Sequence, residues 1–358
     1  MDFSITADQK LMQETLVRAL GEISSLDRVR AYAGDRGDAG ADVWNALKDF
    51  GLPGLLIPEE HGGLGLKLLD AVLAAEALGR AVAPVPFLGA CLAPLALIGG
   101  GSQDQQRTWL PGLAAGDIRA AVAISEPIAG TRDGAGVKAE AGKLTGKALF
   151  VEGGLEADLI VVADTGGRLH LVRGDAAGLS RELMVSIDQT RRLAELGFDG
   201  VAAEPLSGDL LPRLRDAAWA LLAADALGAC DVMIEKAVAY AQERKQFGRV
   251  IGSFQAVKHM CAEMAAEVEP ARSLVWYAAY AFDEGLDDAS LCCAHAKAYL
   301  GEAGRFVART STEVHGGMGI TDLLGLHFWF KRIGLDRQLL GGPERVRDWA
   351  ARLQGLAA

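Results

Sequence analysis

Beyond Leu210 the chain runs in long apolar stretches interrupted only by short polar bends, and few folds accept such a chain. Helical runs are read over Leu211–Arg244, Ser253–Asp283, Ala289–Val314 and Asp322–Leu340, followed by a short tail helix. Pro270 falls inside the second run, which is expected to be kinked or split there. Long amphipathic runs joined by short bends predict an antiparallel bundle. Composition agrees. Half the residues are hydrophobic, with Ala and Leu dominant, and only 6% are aromatic, which favours closely packed helices over sheet.

The earlier part of the chain has two characters. From Phe3 to about Ala115 the pattern is helical, with a start at Ile5-Thr6-Ala7-Asp8 and with Leu11, Leu16 and Leu20 at helical spacing. Further helices are read over Asp42–Phe50, closed by Gly51, and over Leu68–Leu78. The loop Leu52–Leu66 between them carries His61 as a turn or surface histidine. Phe87–Leu110 is helix-rich, Gly99-Gly100-Gly101 form a hinge within it, and Pro111-Gly112 a turn after it. Near Ile118 the pattern changes. Ala120–Ile124, Lys143–Val151, Asp158–Asp164 and Arg168–Arg173 are short, β-branched or alternating, and separated by Gly and Asp turns. The fold class expected is therefore mainly α with a small central antiparallel β domain. Its boundaries are a helical domain over 1–118, a β domain over 119–208 and a helical bundle over 209–358.

A net charge of −11 with no basic block argues against a nucleic-acid surface. No apolar run is long enough to span a bilayer uninterrupted; residues 81–99 come closest, and prolines punctuate them. The first residues lack a basic segment followed by an apolar one, so no secretory signal is expected. Cys91, Cys230, Cys261, Cys292 and Cys293 are odd in number, lie in helical contexts and lack CxxC spacing. They read as reduced thiols of a cytoplasmic protein with no metal site.

The chemistry concentrates in YAQERKQFGRVIGSFQAVKHMCAEM, Tyr240–Met264. Two cations, Arg244 and Lys245, and an aromatic, Phe247, sit at a break between helices. Such a bend suits an anion, because a guanidinium grips phosphate with two parallel hydrogen bonds. The competing reading is a solvated loop. Together with PEEHGGLG (Pro58–Gly65), AISEPIAGTR (Ala123–Arg132), IGSFQ (Ile251–Gln255) and EVHGGMGIT (Glu313–Thr321), this bend resembles the acyl-CoA dehydrogenase family. The resemblance covers nearly the whole chain and lies nearest the bacterial heteromeric, steroid-side-chain-degrading type, in which one subunit is degenerate.

The resemblance implies a flavoprotein with a helical amino-terminal domain, a β barrel and a four-helix bundle. It implies FAD at a subunit interface, and removal of two hydrogens from the α,β carbons of an acyl-CoA. Arg244 matches the arginine on the FAD pyrophosphate. Gln246 and Gln255 match polar contacts, Phe247 a packing aromatic, and Gly316 and Gly317 the backbone against the ADP part, where a Cβ would hold the ligand off. Glu313 stands where the family has Gln. On the flavin side Ser125 and Thr131 exchange the family's Thr and Ser, Gly130 fits, and Arg132 replaces an Asp. Phe150-Val151-Glu152 takes the place of Trp-Ile-Thr, so Glu152 puts a carboxylate where a hydroxyl faces the flavin.

The catalytic base is unassigned. Its usual family position falls on Leu340 and its alternative on Ala218, neither of which can take a proton. Asp225, two helical turns beyond Ala218, is too far displaced to substitute well and suits a pairing role better. Glu126 resembles a structural acid. Two main readings follow: a base-less subunit lending its bundle residues to FAD held by a second acyl-CoA dehydrogenase subunit, or a self-sufficient homo-oligomer with a relocated base. A flavin-free structural or CoA-binding relative is a further alternative. The resemblance implies electron-transfer flavoprotein as acceptor.

Overall fold

The computed structural model describes residues 5–357 apart from 36 and 39. Phe3, from which the first helical pattern is read, lies outside the described residues. Helix α1 (Ala7–Ile23) begins where the sequence places it. Thr6 Oγ1 accepts from Gln9 N, and Gln9 Oε1 accepts from Thr6 N, so two orphan donors are satisfied at once. Helices α2 (Leu26–Gly34), α3 (Ala41–Lys48) and α4 (Leu68–Arg80) follow. Next come α5 (Phe87–Gly100) and α6 (Gln103–Ala114), separated by Gly101 and a Ser102 cap. The turn expected at Pro111-Gly112 is absent; Pro111 sits within α6, which runs on to Ala114.

The β region forms two four-stranded sheets. The first has the order β1 (Ala120–Ala123), β4 (Leu159–Ala163), β5 (Leu169–Arg173), β8 (Glu204–Pro205). The second has the order β2 (Gly136–Glu140), β3 (Lys143–Glu152), β7 (Leu193–Ala202), β6 (Leu179–Leu183). Pairing is antiparallel except between β1 and β4, which run parallel. A short helix, α7 (Ser125–Ala129), leaves β1. The alternation of side chains explains why β4 is buried throughout. Ile160 and Val162 face Val137, Leu144 and Leu196 in a core of their own, whereas Leu159 and Val161 join the helical core. In β3 the register slips between Ala148 and Val151, and Phe150 takes a φ of +59°. This bulge re-aims Phe150.

The carboxy-terminal part packs α8 (Leu211–Glu243), α9 (Gln255–Glu284), α10 (Ala289–His315), α11 (Leu326–Gln338) and α12 (Pro343–Leu353). Helix α9 is a single run that contains Pro270 without splitting. Helix α8 is long and apolar enough to cross a membrane by length and composition, but it is mostly buried as the axis of the bundle. The bend after it is a tight β-hairpin. β9 (Lys245–Gln246) and β10 (Arg249–Val250) pair across Phe247-Gly248, whose φ values are +53° and +77°. A two-residue hairpin turn of this hand requires left-handed backbone at both positions.

Helices α4 and α8 cross with backbone nearly in contact. A Cβ on Gly79 would fall 2.0 Å from the Asp225 carbonyl oxygen, and one on Gly228 would fall 1.9 Å from that of Glu76. Each helix thus presents a glycine to the other's carbonyl, and the crossing fixes Asp225 in depth and rotation. Gly228→Ala must push the helices apart and is expected to cost at least about 2 kcal/mol. Denaturant unfolding of the variant beside wild type measures it.

Candidate functional site

An open cleft of about 460 Å³ lies between α7, the β3 bulge and the end of α11. Ser125, Gly130, Phe150, Gln338 and Leu340 line it. Among the flavin-side residues singled out in the sequence, Ser125 and Phe150 therefore share one wall, while Thr131 is exposed beside it. Arg132 lies 5.7 Å from the Phe150 ring centroid. Glu126 is turned inward, where its Oε1 accepts from Leu149 N at 2.8 Å. It ties α7 to β3 and is raised above the usual carboxylate range by burial.

Of the two positions where the family resemblance expects a base, Leu340 lines this cleft, and Ala218 is tied to it through its neighbour Trp219. Ala218 is fully buried on α8, and the indole Nε1 of Trp219 donates to the Leu340 carbonyl oxygen at 2.9 Å. Leu340 itself is buried, with a left-handed φ of +58°, and is followed by Gly341 at +109°. Its side chain fills the position with hydrocarbon. Neither residue has a group that can accept a proton.

Behind the cleft lies a feature that sequence reading reaches only through Asp225. Arg191, in the loop before β7, donates from Nη2 to Asp225 and from Nη1 to Asp336, both at 2.6 Å. Arg332 on α11 is 1% exposed. It donates to Asp188 (3.0 Å), Thr190 Oγ1 (2.6 Å), Asp225 (3.3 Å) and the Ala83 carbonyl (3.1 Å). Glu152 Oε1 lies 3.2 Å from Arg191 Nε, so this carboxylate faces a guanidinium. Charge balance requires protons, because two cations cannot neutralise the carboxyls of Glu152, Asp188, Asp225 and Asp336. Burial drives Asp336 well above the usual range, and it shares a hydrogen bond with Asp225. Burial acts on Asp225 in the same sense, but Arg191 and Arg332 outweigh it and hold that group low. Glu152 is raised by burial. Asp225 is thus a paired anion and not a free base. The missed partners were hidden because only Asp225 lies in an otherwise apolar helix, whereas Arg191 and Arg332 lie in polar sequence.

Below the same cluster, Lys297 of α10 is buried and caps α11 by donating to the carbonyl oxygens of Asp336 and of Arg337 (3.1 Å). It satisfies orphan carbonyls one turn before Leu340. Burial depresses its pKa to about 7, against the pull of the Asp336 carboxyl and with help from Arg337.

The bundle residues form a second, exposed group. Arg244, Gln246, Phe247 and Gln255 project from the hairpin and the start of α9, and Phe247 is 91% exposed. Glu313, Gly316 and Gly317 lie at the end of α10 and are also exposed. Tyr240, one turn before Arg244, stacks at 4.7 Å on His315, beside Gly316, which brings the two stretches together. Among the described residues the Arg244 guanidinium makes no hydrogen bond or ion pair, and a Cβ on Gly316 or Gly317 would meet nothing within 4 Å. An unpaired guanidinium beside open glycine backbone is an arrangement that suits an anion. None of these residues lines the Leu340 cleft.

Residues 6–117 match the acyl-CoA dehydrogenase amino-terminal domain and residues 218–353 its carboxy-terminal domain. Acyl-CoA dehydrogenase IpdE2 of Mycobacterium tuberculosis is 33% identical over 341 residues, 95% of each chain. IpdE2 of Mycolicibacterium smegmatis is 32% identical over 351 residues, 98% of this chain and 100% of that one. Among solved structures, a chain of the ChsE4-ChsE5 complex from Mycobacterium tuberculosis has a TM-score of 0.91 at 26% identity over the whole of both chains. The Tcur3481-Tcur3483 steroid ACAD variant has a TM-score of 0.90 at 29% identity, over 97% of this chain and 98% of that one.

Two outcomes test the buried cluster. Arg332→Met leaves Asp188 without its guanidinium and Asp225 with Arg191 alone, and is expected to cost about 3–5 kcal/mol in denaturant unfolding. For Lys297 the folded pKa lies below the unfolded one, so between about 7 and 10.5 the unfolded chain binds more protons. Stability of wild type relative to Lys297→Met therefore rises across that window. Paired unfolding curves at several pH values measure the slope, and a flat or falling difference contradicts the assignment.

Proposed function

The chain belongs to the acyl-CoA dehydrogenase family, and from that premise we propose that it is the base-less subunit of a heteromeric FAD-dependent enzyme. The family's enzymes are flavoprotein oxidoreductases acting on CH–CH groups, and the assembly would introduce an α,β double bond into an acyl-CoA thioester. One observation carries the reading: both base positions, Ala218 and Leu340, are apolar and buried, one against the Trp219–Leu340 contact and one within it. The chain can orient a ligand but has no group at these positions to take the α proton.

Its contribution is the exposed bundle group. Arg244, Gln246, Phe247 and Gln255, with the Gly316-Gly317 backbone, would hold the ADP half of an FAD shared with the partner subunit. Glu313 keeps an acceptor there and adds a negative charge. FAD, when bound, would supply the hydride acceptor, with an electron-transfer flavoprotein as the onward acceptor. In this chain's own cleft Ser125 and Phe150 remain as the counterpart of the flavin wall, with Thr131 exposed beside it, and Glu152 is paired with Arg191 behind it. The steroid named for one solved relative supports a bulky, steroid-type acyl group. The three-part division at 118/119 and 208/209, and a cytoplasmic location, belong to the same reading.

The test is expression of the chain alone and with a second, base-bearing family member, followed by visible spectra and acyl-CoA oxidation assays. Flavin and activity are expected only in the mixture. Stoichiometric flavin and turnover from the chain alone would establish the self-sufficient reading instead. In the mixture, Arg244→Ala removes a charge-assisted contact worth about 1.5–3 kcal/mol, so FAD affinity is expected to fall about 10- to 100-fold. Flavin content after dialysis measures it, and unchanged occupancy would place the pyrophosphate elsewhere.

A further inference from the structure

The stretch that carries Gly316 and Gly317 links α10 to α11 as two short 3-10 turns, Gly316–Ile320 and Asp322–Leu324. Glycines in left-handed backbone bound it, Gly316 with a φ of +57° and Gly325 with +64°. Its side chains hold it weakly. Ile320 is 81% exposed and Leu323 74%, and of its larger apolar side chains only those of Met318 and Leu324 are half-buried. A segment with so little apolar burial opens locally at small cost unless other contacts restrain it.

Two contacts of its backbone supply that restraint. Near its start Gly319 lies against α10, where an added Cβ would fall 2.5 Å from the Thr312 carbonyl oxygen. At its far end it meets α2, from the amino-terminal helices, through two residues one turn apart. Leu26 sits under Gly325, whose added Cβ would fall 2.8 Å from the leucine side chain. Arg30 Nη2 donates to the carbonyl oxygens of Asp322 at 2.7 Å and of Leu323 at 3.0 Å. The guanidinium is aimed from its own helix, because Nη1 donates to Asp27 Oδ1 at 3.1 Å. The Asp322 carboxylate is held separately, 2.5 Å from His327 Nε2 on α11. A guanidinium on two carbonyls is a charge-assisted contact, stronger than a neutral one.

We propose that Arg30 is a positioning residue for the dinucleotide contact: by holding the Asp322 and Leu323 carbonyls it fixes the stretch 316–324, and so keeps the Gly316-Gly317 backbone presented near Arg244. The inference rests on the lending role proposed above. It adds a residue of the amino-terminal helices to a surface otherwise built from the bundle. Arg30 acts through the stretch rather than on the ligand. Without its guanidinium the far end is released, and the glycines at 316 and 325 let the backbone between them turn. Binding must then order the stretch first, which lowers affinity in proportion to the competent fraction while every direct contact remains available.

Amide hydrogen exchange on the full-length chain alone, wild type beside Arg30→Met and Arg30→Lys, reads the anchor directly. The amides of Thr321 and Gly325 donate to the Met318 and Asp322 carbonyls. They are expected to exchange at least about ten-fold faster in Arg30→Met, with α8 and α10 unchanged, and at an intermediate rate in Arg30→Lys, which keeps one donor. Unchanged exchange there would overturn the proposal. With the base-bearing subunit added, FAD affinity read by flavin fluorescence is expected to fall about three- to ten-fold in Arg30→Met and to recover in part in Arg30→Lys, at an unchanged melting temperature. Faster exchange with unaltered FAD affinity, while Arg244→Ala still weakens binding, would make Arg30 structural only and overturn the positioning role with the lending role intact. If neither Arg30→Met nor Arg244→Ala alters FAD affinity, the lending role has failed and the positioning role falls with it. Arg30→Lys carries both comparisons if Arg30→Met does not fold.

Discussion

Arg191 and Arg332 carry their charges into the interior, and each element around them is positioned to answer that charge. A guanidinium with 1% exposure is tolerable only if nearly every N–H finds an acceptor. The acceptors come from all parts of the chain. Ala83 supplies a carbonyl from the loop after α4, Asp188 and Thr190 come from the loop before β7, and Asp225 comes from α8. Separating the β region from the bundle would strand both cations, so the cluster selects one mutual placement even where its net contribution to stability is small.

That placement depends on a backbone detail. Asp225 reaches both guanidiniums because α8 approaches α4 at glycine distance, with Gly79 and Gly228 each under the other helix's carbonyl. The same helix carries Ala218 and Trp219 two turns earlier, and the indole fixes the Leu340 carbonyl. One rigid helix therefore joins the ion cluster to the cleft. Lys297 secures the other end by capping α11 just before Leu340. The family base position in the cleft, Leu340, is thus held in place and carries hydrocarbon.

The polar resources of the chain divide between a buried set and an exposed set. The buried set is spent on internal pairing, including Glu152, which the family pattern would turn toward a flavin. Among the described residues of the exposed set, the Arg244 guanidinium has no hydrogen bond or ion pair, and open glycine backbone lies beside it. A group that is fully solvated in the single chain can be held in place for a ligand brought by another subunit, since nothing within the chain competes for it.

Much of this was legible in the sequence. Helical periodicity and the β-branched segments after Ile118 determine the element types, because side-chain burial on one face follows directly from a repeat of 3.6 or 2. The four motifs determine the family, and Leu340 and Ala218 show by residue type alone that both family base positions are apolar. The sequence also places Phe247-Gly248 at a break, though only backbone pairing makes that break a β-hairpin. Pro111 and Pro270, read as interruptions, are absorbed within α6 and α9 by packing around them. What only the tertiary structure decided is which charges meet. Glu152, Arg191, Asp225 and Arg332 are far apart along the chain, and nothing local marks an arginine as buried. Their pairing arises when α4 and α8 close at their glycines and bring the loop before β7 against α11. Long-range electrostatics of this kind is a property of distance and desolvation, neither of which is written in the order of the residues.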